Sequence, residues 1–365
     1  MFHISFQRTS HHTCTIFKNS EPKDVMMLLG IIGSGNFGTA LAKVLSEYHN
    51  ILLYDIDDKV VEEINSKHTN SRYMPDVKLN NNISASTDIA SMHYVDLIIF
   101  SVPSKFMKDA CLKLKPHYKN QIIISVTKGL SPEGNVMTDI IEQNLKCDSS
   151  KVLALSGPCI AGEMACGKPT MVMLGGKKSV ASQAQKIIES ENFLIKVTTD
   201  KKGIQLLGFY KNIIAILVGI CEGLELGKNF ESSLMTRAYN EFYHLNATIN
   251  IKRHTFVSPA GLGDLYVTAM SPHSRNRTFG HMIGLGLTMD EAKTKIGQTI
   301  EGYENLLLLN GMKNKKYIDK ELIKILMEII HDKMDKEQIK DLLLKYLYNY
   351  RKNHLEELIF PMQMP

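Results

Sequence analysis

The sequence predicts an α/β protein in which a doubly wound sheet is followed by a mostly α-helical C-terminal part. Three observations lead to this fold class. Short apolar runs alternate with helical segments up to about residue 199, which is typical of a sheet covered by helices on both faces. A cluster of three glycines joins the first apolar run to the first helical segment. After Gly203 the strand patterns stop and long helical patterns take over.

The apolar runs predict the strands in order. They are short, rich in Ile, Leu and Val, and several end at Pro, Gly or a charged residue. The predicted strands are residues 27–32, 51–54, 94–102, 121–127, 151–156, 170–174 and 193–197. Helical spacing follows the glycine cluster and recurs at residues 57–67, 105–114 and 132–145. The polar stretch 70–82, which contains Pro75, is predicted to be a loop.

The C-terminal part is predicted to be helical throughout. The helical patterns cover residues 205–225, 232–245, 288–296, 303–310 and 320–350. We therefore predict a domain at residues 26–200 and a second, helical domain at residues 201–365. Residues 1–25 are rich in Ser, Thr and His and precede the first strand. They are expected to be a disordered extension, a weak transit-like segment, or residues upstream of a natural start at Met26 or Met27, and the last of these is favoured.

Composition excludes several classes of protein. The chain has 365 residues, 44% of them hydrophobic, and a net charge of +5, which fits a globular protein with two cores. Its lysines form no aromatic-interleaved basic stripe, so nucleic acid is not an expected partner. The six cysteines show no pairing or metal-ligand spacing, which indicates reduced thiols in the cytoplasm and no metal site. The apolar tract near 213–221 is too short for a transmembrane span.

The glycine cluster has the spacing of a dinucleotide-binding turn. In Gly33-Ser34-Gly35-Asn36-Phe37-Gly38, the first glycine permits the sharp turn, the second admits a pyrophosphate and the third lets the helix pack closely on the sheet. Asp55 ends the second strand 22 residues after Gly33, the distance at which a carboxylate binds the ribose in such folds. This motif and its context predict a Rossmann-type N-terminal domain. A glycine turn without a ligand is the alternative for the motif alone.

Two lysines stand where chemistry is expected. Lys128 follows a core strand at its carboxyl end, where ligands bind in doubly wound sheets; the alternative is a solvated strand end. Lys211 lies next to Asn212 in an otherwise apolar helical segment. A desolvated lysine has a lowered pKa and can act as a general acid or base near neutral pH. The alternative is a side chain that extends outward to solvent.

Three further segments carry polar groups among glycines. Asp264 follows Gly261-Leu262-Gly263 and either serves the site or caps the next helix. Residues 274–277 (Ser-Arg-Asn-Arg) collect hydroxyl, guanidinium and amide donors, which suit a phosphate group. Residues 297–303 contain Thr299 and Glu301 and read as a helix N-terminus.

As an ordered set, these segments resemble the NAD(P)-dependent glycerol-3-phosphate dehydrogenases of the bacterial type. The resemblance extends from about residue 27 to 309. The matching segments are 33–40, 101–104, 127–130, 156–158, 161–163, 211–215, 234–237, 260–265, 274–277 and 301–302.

The resemblance implies an activity and a role for each matching residue. The enzyme would interconvert glycerol 3-phosphate and dihydroxyacetone phosphate, supply glycerol 3-phosphate for phospholipid synthesis, and act as a cytoplasmic homodimer. The implied catalytic residues are Lys211, Lys128 and Asp264. Substrate contacts are implied at Lys128, Gly157, Cys159, Lys211, Asp264, Ser274, Arg275 and Asn276. Cofactor contacts are expected at Gly33, Ser34, Gly35, Asn36, Phe37, Gly38, Asp55, Lys128, Ala161, Arg275, Thr299 and Glu301.

Two positions depart from the family pattern. Cys159 stands where the family usually has Ser, Thr or Asn, and its thiol is a weaker hydrogen-bond donor. Asp55 stands where several bacterial relatives have Arg or His. A carboxylate binds the ribose 2′-hydroxyl and repels a 2′-phosphate, so we predict that NAD(H) is preferred, with NADP(H) as the other candidate cofactor.

Two other functions remain open from the sequence. One is a related two-domain dehydrogenase of a β-hydroxy acid, against which segments 261–264 and 274–277 argue. The other is a non-catalytic NAD(H) sensor, which would not need Lys211.

Overall fold

The computed structural model describes residues 25–244, 250–312, 320–332 and 334–353. Except for Val25, the predicted N-terminal extension therefore lies outside the described residues. The strands of the described residues are β1 Leu28–Ile32, β2 Asn50–Tyr54, β3 Thr69–Asn70, β4 Met74–Lys78, β5 Ile83–Ser86, β6 Leu97–Phe100, β7 Ile122–Ser125, β8 Val152–Ser156, β9 Thr170–Gly175 and β10 Phe193–Thr198.

The α-helices lie on both faces of the sheet in the N-terminal half and make up most of the C-terminal half. They are α1 Asn36–Leu45, α2 Asp58–Lys67, α3 Met107–Leu114, α4 Met137–Leu145, α5 Ala161–Ala165, α6 Lys178–Ile188, α7 Lys201–Gly223, α8 Lys228–His244, α9 Arg253–Phe256, α10 Asp264–Met270, α11 Arg275–Gly284, α12 Met289–Ile296, α13 Glu301–Gly311, α14 Lys320–His331 and α15 Lys336–Asn353.

Eight strands form one sheet in the order β10-β9-β8-β7-β6-β1-β2-β5. All neighbours are parallel except β8 and β9, which are antiparallel. Apolar clusters cover both faces of the sheet. The first strand is central, and the chain leaves it toward opposite edges. This places a crevice outside the carboxyl ends of β1 and β6, where such sheets bind ligands. The predicted α/β fold class is confirmed.

Two local predictions were wrong. The segment predicted as a polar loop, 70–82, includes all but the first residue of the antiparallel hairpin of β3 and β4. This hairpin is separate from the main sheet, and its strands are too short to give a clear alternating pattern. The single helix predicted at 320–350 is two helices, because α14 ends at His331 and α15 begins at Lys336. Both helices keep an apolar face, so sequence periodicity continues across the break.

Helix α7 is the centre of the C-terminal half. It crosses α11 at very short range: a Cβ on Gly219 would lie 2.1 Å from the Arg277 carbonyl oxygen, and one on Gly280 would lie 2.1 Å from the Ile216 carbonyl oxygen. Asp200 caps the start of α7 by accepting a hydrogen bond from the Gly203 N–H at 3.0 Å. The domain division at residue 200 stays a prediction.

Helix α7 is also the one helix of the described residues that is long and apolar enough, by length and composition, to cross a membrane. The apolar part of this helix is entirely buried inside the protein, as expected for a helix that forms part of a hydrophobic core. Its length and composition are therefore weak grounds for a membrane span.

Candidate active site

The glycine turn has the geometry that its sequence predicts. Gly33 follows β1 with a φ of +104°, a left-handed conformation that favours glycine. A Cβ on Gly38 would lie 2.0 Å from the Gly33 carbonyl oxygen, so only glycine lets α1 begin this close to the turn. At Gly35 a Cβ would meet nothing within 4 Å, and no side chain caps α1 there. The start of α1 therefore offers open space and helix N–H groups to a phosphate.

Asp55 is held against this turn. Its Oδ2 accepts hydrogen bonds from the backbone N–H of Ser34 at 3.0 Å and from the Ser34 hydroxyl, and its Oδ1 accepts one from the Asp57 N–H at 3.1 Å. The next side chain, Ile56, is 76% exposed. A carboxylate at the end of β2, an uncapped helix start and the open space at Gly35 fit the ribose and phosphates of a dinucleotide.

The centre of the site is one carboxylate between two lysines. Lys211 comes from α7, Lys128 follows β7, and both Nζ atoms donate to Asp264 at the start of α10. Lys128 Nζ lies 2.7 Å from Oδ2, and Lys211 Nζ contacts Oδ1. Asp264 is fully buried and Lys211 is 8% exposed. The side chain of Lys128 reaches the cluster across Gly208, where a Cβ would lie 3.4 Å from its stem.

The lysines respond differently to this environment. Burial lowers the pKa of Lys211 to about 8, against the attraction of Asp264 and together with the repulsion of Lys128. Burial is the largest single influence on Lys128 and acts to lower its pKa, but the charge and hydrogen bond of Asp264, together with smaller effects of Cys159 and Lys211, outweigh burial and the pKa is raised. One carboxylate cannot neutralise two ammonium groups, so the cluster carries an excess positive charge when both are protonated. It loses that charge when Lys211 gives up its proton.

The alternative in which Asp264 caps a helix is wrong. The cap position of α10 is Gly263, and the Asp264 carboxylate bonds to the lysines instead. Two site residues were not predicted from the sequence. One is Thr268, whose hydroxyl accepts from Lys211 Nζ at 2.8 Å and donates to the Asp264 carbonyl at 2.7 Å. The other is Ser156, whose hydroxyl lies 3.5 Å from Asp264 Oδ2. Thr268 could have been found, since it lies one helical turn after Asp264.

A chain of buried amides links this cluster to the start of α13. Asn212 donates from Nδ2 to the Glu301 carboxylate at 3.2 Å and accepts at Oδ1 from Asn276 Nδ2 at 3.0 Å. Asn276 Oδ1 in turn accepts from the Gly302 N–H at 2.8 Å. Asn212 and Asn276 are 3% and 8% exposed. These bonds set the position of the residue next to Lys211.

Arg275 lies outside the lysine cluster. It is exposed, and its Nη1 donates to the Thr299 carbonyl at 2.8 Å and to Gln298 at 3.4 Å. Ser274 is the cap of α11, with its hydroxyl accepting from the Arg277 N–H at 3.3 Å. The second arginine of the segment, Arg277, points toward α7 and pairs with Glu222. The two arginines of the segment 274–277 therefore point to different places: Arg275 bonds to the exposed 298–299 segment and Arg277 to the helical core.

The remaining residues line the crevice from the sheet side. A Cβ on Gly157 would meet Val172 Cα at 2.9 Å, so β8 and β9 approach closely there. Cys159 is half-buried. Burial is the main reason that the pKa of its thiol is raised to about 12, and the charges of Lys128, Asp264 and Lys211 have smaller effects on it. Asn36, Phe37 and Ala161 are half-buried at the starts of α1 and α5.

The structure brings the glycine turn and the lysine cluster to the same edge of the sheet. Gly33 follows β1 and Lys128 follows β7, with β6 between them, so they lie about two strand spacings, or ~10 Å, apart along the edge. A glycine turn with the geometry for a dinucleotide, at the same sheet edge as a buried lysine pair, is typical of the class of dehydrogenases that use a nicotinamide dinucleotide.

Comparison with known proteins identifies the family within that class. Residues 29–186 match the N-terminus, and residues 200–341 the C-terminus, of the NAD-dependent glycerol-3-phosphate dehydrogenases. The chain belongs to this family, which confirms the resemblance and makes it an oxidoreductase.

Individual relatives agree with this assignment. Glycerol-3-phosphate dehydrogenase (NAD(P)+) of Listeria monocytogenes is 34% identical over 322 residues, covering 87% of this chain and 95% of the relative. The Clostridium botulinum enzyme of the same name is 33% identical, covering 88% and 98%. A crystal structure of the Coxiella burnetii glycerol-3-phosphate dehydrogenase superposes with a TM-score of 0.81 at 30% identity, covering 88% of this chain and 99% of that chain.

Proposed function

We propose that this chain interconverts glycerol 3-phosphate and dihydroxyacetone phosphate with NAD(H) as its preferred cofactor, and that it supplies glycerol 3-phosphate for phospholipid synthesis. The observation that carries the proposal is the pairing of Lys211 and Lys128, from the two halves of the chain, with the buried Asp264. We also propose a cytoplasmic homodimer, as the resemblance implies. Light scattering of the purified protein would test the dimer by its mass.

In this proposal Lys211 is the general base and general acid for the proton of the substrate hydroxyl. When bound, the nicotinamide supplies or accepts the hydride at the adjacent carbon. Neutral Lys211 accepts the hydroxyl proton during oxidation of glycerol 3-phosphate, and protonated Lys211 returns it during reduction. Asp264 orients the amine, and Lys128 keeps a positive charge beside the substrate oxygen.

Arg275 is the proposed partner of the substrate phosphate. Its Nη1 is bonded to the 298–299 segment, and its Nη2 has no hydrogen-bond partner among the residues that the structure describes. A guanidinium can bind two phosphate oxygens at once. The buried Asn276 directly after it fixes the start of α11 through its bonds to Asn212 and Gly302.

The test is to mix the purified protein with NADH and dihydroxyacetone phosphate and to follow NADH absorbance. Oxidation of NADH is expected with dihydroxyacetone phosphate and not with dihydroxyacetone, which lacks the phosphate. Lys211→Met should lower kcat by about 10²–10⁴, the usual contribution of a general acid or base, while cofactor binding is kept. Lys202→Met, at an exposed lysine of the same helix, is the matched control. Equal rates for Lys211→Met and the control would favour a binding protein over an enzyme.

The preference for NAD(H) rests on Asp55. Its two oxygens are oriented by Ser34 and Asp57, and its charge would repel a 2′-phosphate. We expect kcat/KM to be higher with NADH than with NADPH. Asp55→Asn should reduce the ratio of kcat/KM with NADH to kcat/KM with NADPH about tenfold, the effect of ~1.4 kcal/mol. Asp58→Asn, at an exposed carboxylate of the same segment, should leave that ratio unchanged. A wild-type preference for NADPH would contradict the proposal.

A further inference from the structure

Asn70, on the small hairpin that the sequence analysis predicted as a loop, makes a buried contact with the glycine turn. It is fully buried, and its Nδ2 donates to the Ser34 carbonyl at 2.8 Å and to the Thr39 hydroxyl at 2.9 Å. The Thr39 hydroxyl itself donates to the Ser34 carbonyl at 2.8 Å. The carbonyl of Ser34 therefore accepts two side-chain hydrogen bonds, one from the hairpin and one from α1.

The other side of Ser34 holds the carboxylate proposed to bind the ribose. The Ser34 N–H and hydroxyl both donate to Asp55 Oδ2. Ser34 is thus held at its carbonyl by Asn70 and Thr39, and its N–H and hydroxyl orient Asp55. Because peptide groups are planar, an anchored carbonyl limits rotation of the backbone on that side of Ser34.

The orientation of the Asn70 amide is determined by its neighbours. A rotated amide would set its oxygen against the Ser34 carbonyl oxygen, where neither atom can donate. With Nδ2 toward Ser34, the Asn70 Oδ1 is buried without a hydrogen-bond partner among the described residues. The amide thus leaves a buried acceptor unsatisfied, while all the side-chain hydrogen bonds that it makes go to Ser34 and Thr39.

The hairpin is itself tied to α2, which gives Asn70 a fixed base. Glu63 of α2 accepts from the Thr69 hydroxyl and the Ser71 N–H, each at 2.8 Å. The backbone N–H of Ser71 and the Thr69 hydroxyl are the main reasons that the pKa of Glu63 is lowered. Residues 69 and 71, on each side of Asn70, are therefore held by the same carboxylate.

We propose that Asn70 is a positioning residue of the dinucleotide site: it fixes the peptide group between Ser34 and Gly35 and so the position of Ser34, whose N–H and hydroxyl hold the Asp55 carboxylate. The hairpin then contributes to cofactor affinity and to the discrimination between NADH and NADPH. The part about discrimination rests on the proposed preference for NAD(H); the part about affinity does not.

Binding of the cofactor alone tests the proposal. The chain has no Trp, so the fluorescence of NADH itself is titrated with folded protein to give a Kd. Asn70→Ala removes both donors and should raise the Kd for NADH about tenfold, within the range of lost buried hydrogen bonds. The ratio of the NADPH and NADH Kd values should fall toward one. At saturating NADH, kcat and the KM for dihydroxyacetone phosphate should stay within about twofold of wild type, an effect below ~0.5 kcal/mol.

A matched asparagine separates positioning from stability. Asn82 donates from Nδ2 to two backbone carbonyls, of Ser46 at 2.7 Å and His49 at 2.8 Å, beyond the other end of α1. Asn82→Ala should lower the Tm without changing the Kd for NADH. If Asn70→Ala also lowers the Tm and leaves the Kd unchanged, the positioning role is overturned.

A second variant keeps the test open if Asn70→Ala does not fold. Thr39→Val preserves shape but removes the other donor to the Ser34 carbonyl, so it should raise the Kd for NADH in the same direction; an unchanged Kd would overturn the proposal. A wild-type preference for NADPH, with a Kd that still rises in Asn70→Ala, would refute the Asp55 assignment and leave the positioning role intact.

Discussion

The charge of Asp264 is expected to decide both the stability and the proton chemistry of the site. Asp264→Asn keeps the shape of the side chain but removes the negative charge between Lys128 and Lys211. The carboxylate is fully buried, so solvent cannot replace it. Two lysines then share a buried site with no counter-charge, and both lose protons more readily.

The size of the effect can be bounded. A lysine held neutral at pH 7 costs about 4.6 kcal/mol, which is ~1.36 kcal/mol for each of the ~3.4 pH units below its ordinary pKa. Removing one partner of a buried ion pair typically costs about 3–5 kcal/mol. We expect Asp264→Asn to lose about 3–5 kcal/mol of free energy of unfolding at pH 7.

The loss should shrink as the pH rises. In the variant both lysines have a folded-state pKa below that of the unfolded chain, so the unfolded chain binds more protons and stability increases with pH between those values. The gain is up to ~1.4 kcal/mol per pH unit for each lysine. The wild type gains less, because Asp264 keeps the pKa of Lys128 raised and only Lys211 has a lowered pKa.

Urea unfolding followed by circular dichroism at pH 7 and pH 9 measures this difference. Asp200→Asn is the control, because that buried carboxylate bonds to the N–H groups of Gly203 and Lys252 and the Thr255 hydroxyl. Its stability difference from wild type should not change between the two pH values. A difference for Asp264→Asn that is equally independent of pH would refute the reasoning.

The remaining predictions concern proton transfer and the glycine turn. Lys211→Met should lower kcat by about 10²–10⁴, the usual contribution of a general acid or base, with the NADH Kd kept in a fluorescence titration. The rate of glycerol 3-phosphate oxidation should rise with pH through about 8, the lowered pKa of Lys211, while dihydroxyacetone phosphate reduction should fall above it; a flat profile in both directions would contradict the assignment. Gly38→Ala should lower the Tm and weaken NADH binding, because its Cβ would lie 2.0 Å from a carbonyl oxygen and overpacking is destabilising. Gly35→Ala should weaken binding at an unchanged Tm, since the structure leaves its Cβ in open space; equal Tm losses in the two variants would contradict this.

Much of the nucleotide half could be predicted from the sequence, because its signals are local. Strands in a covered sheet are continuous apolar runs, and the conformation at Gly33 and the close packing at Gly38 are set within a few residues. The position of Asp55 at a strand end followed from the same pattern. The hairpin of β3 and β4 did not, because such short strands carry almost no periodic signal.

The charged centre of the site depended on the tertiary structure. Asp264 is 53 residues from Lys211 and 136 from Lys128, so no local pattern shows that one carboxylate serves both lysines. The sequence by itself determined which side chains could do chemistry and where strands and helices form, since these depend on neighbouring residues. Only the tertiary structure decided which charged groups lie next to each other in the buried interior. Burial and the shared contact with Asp264 together give the two lysines different pKa values.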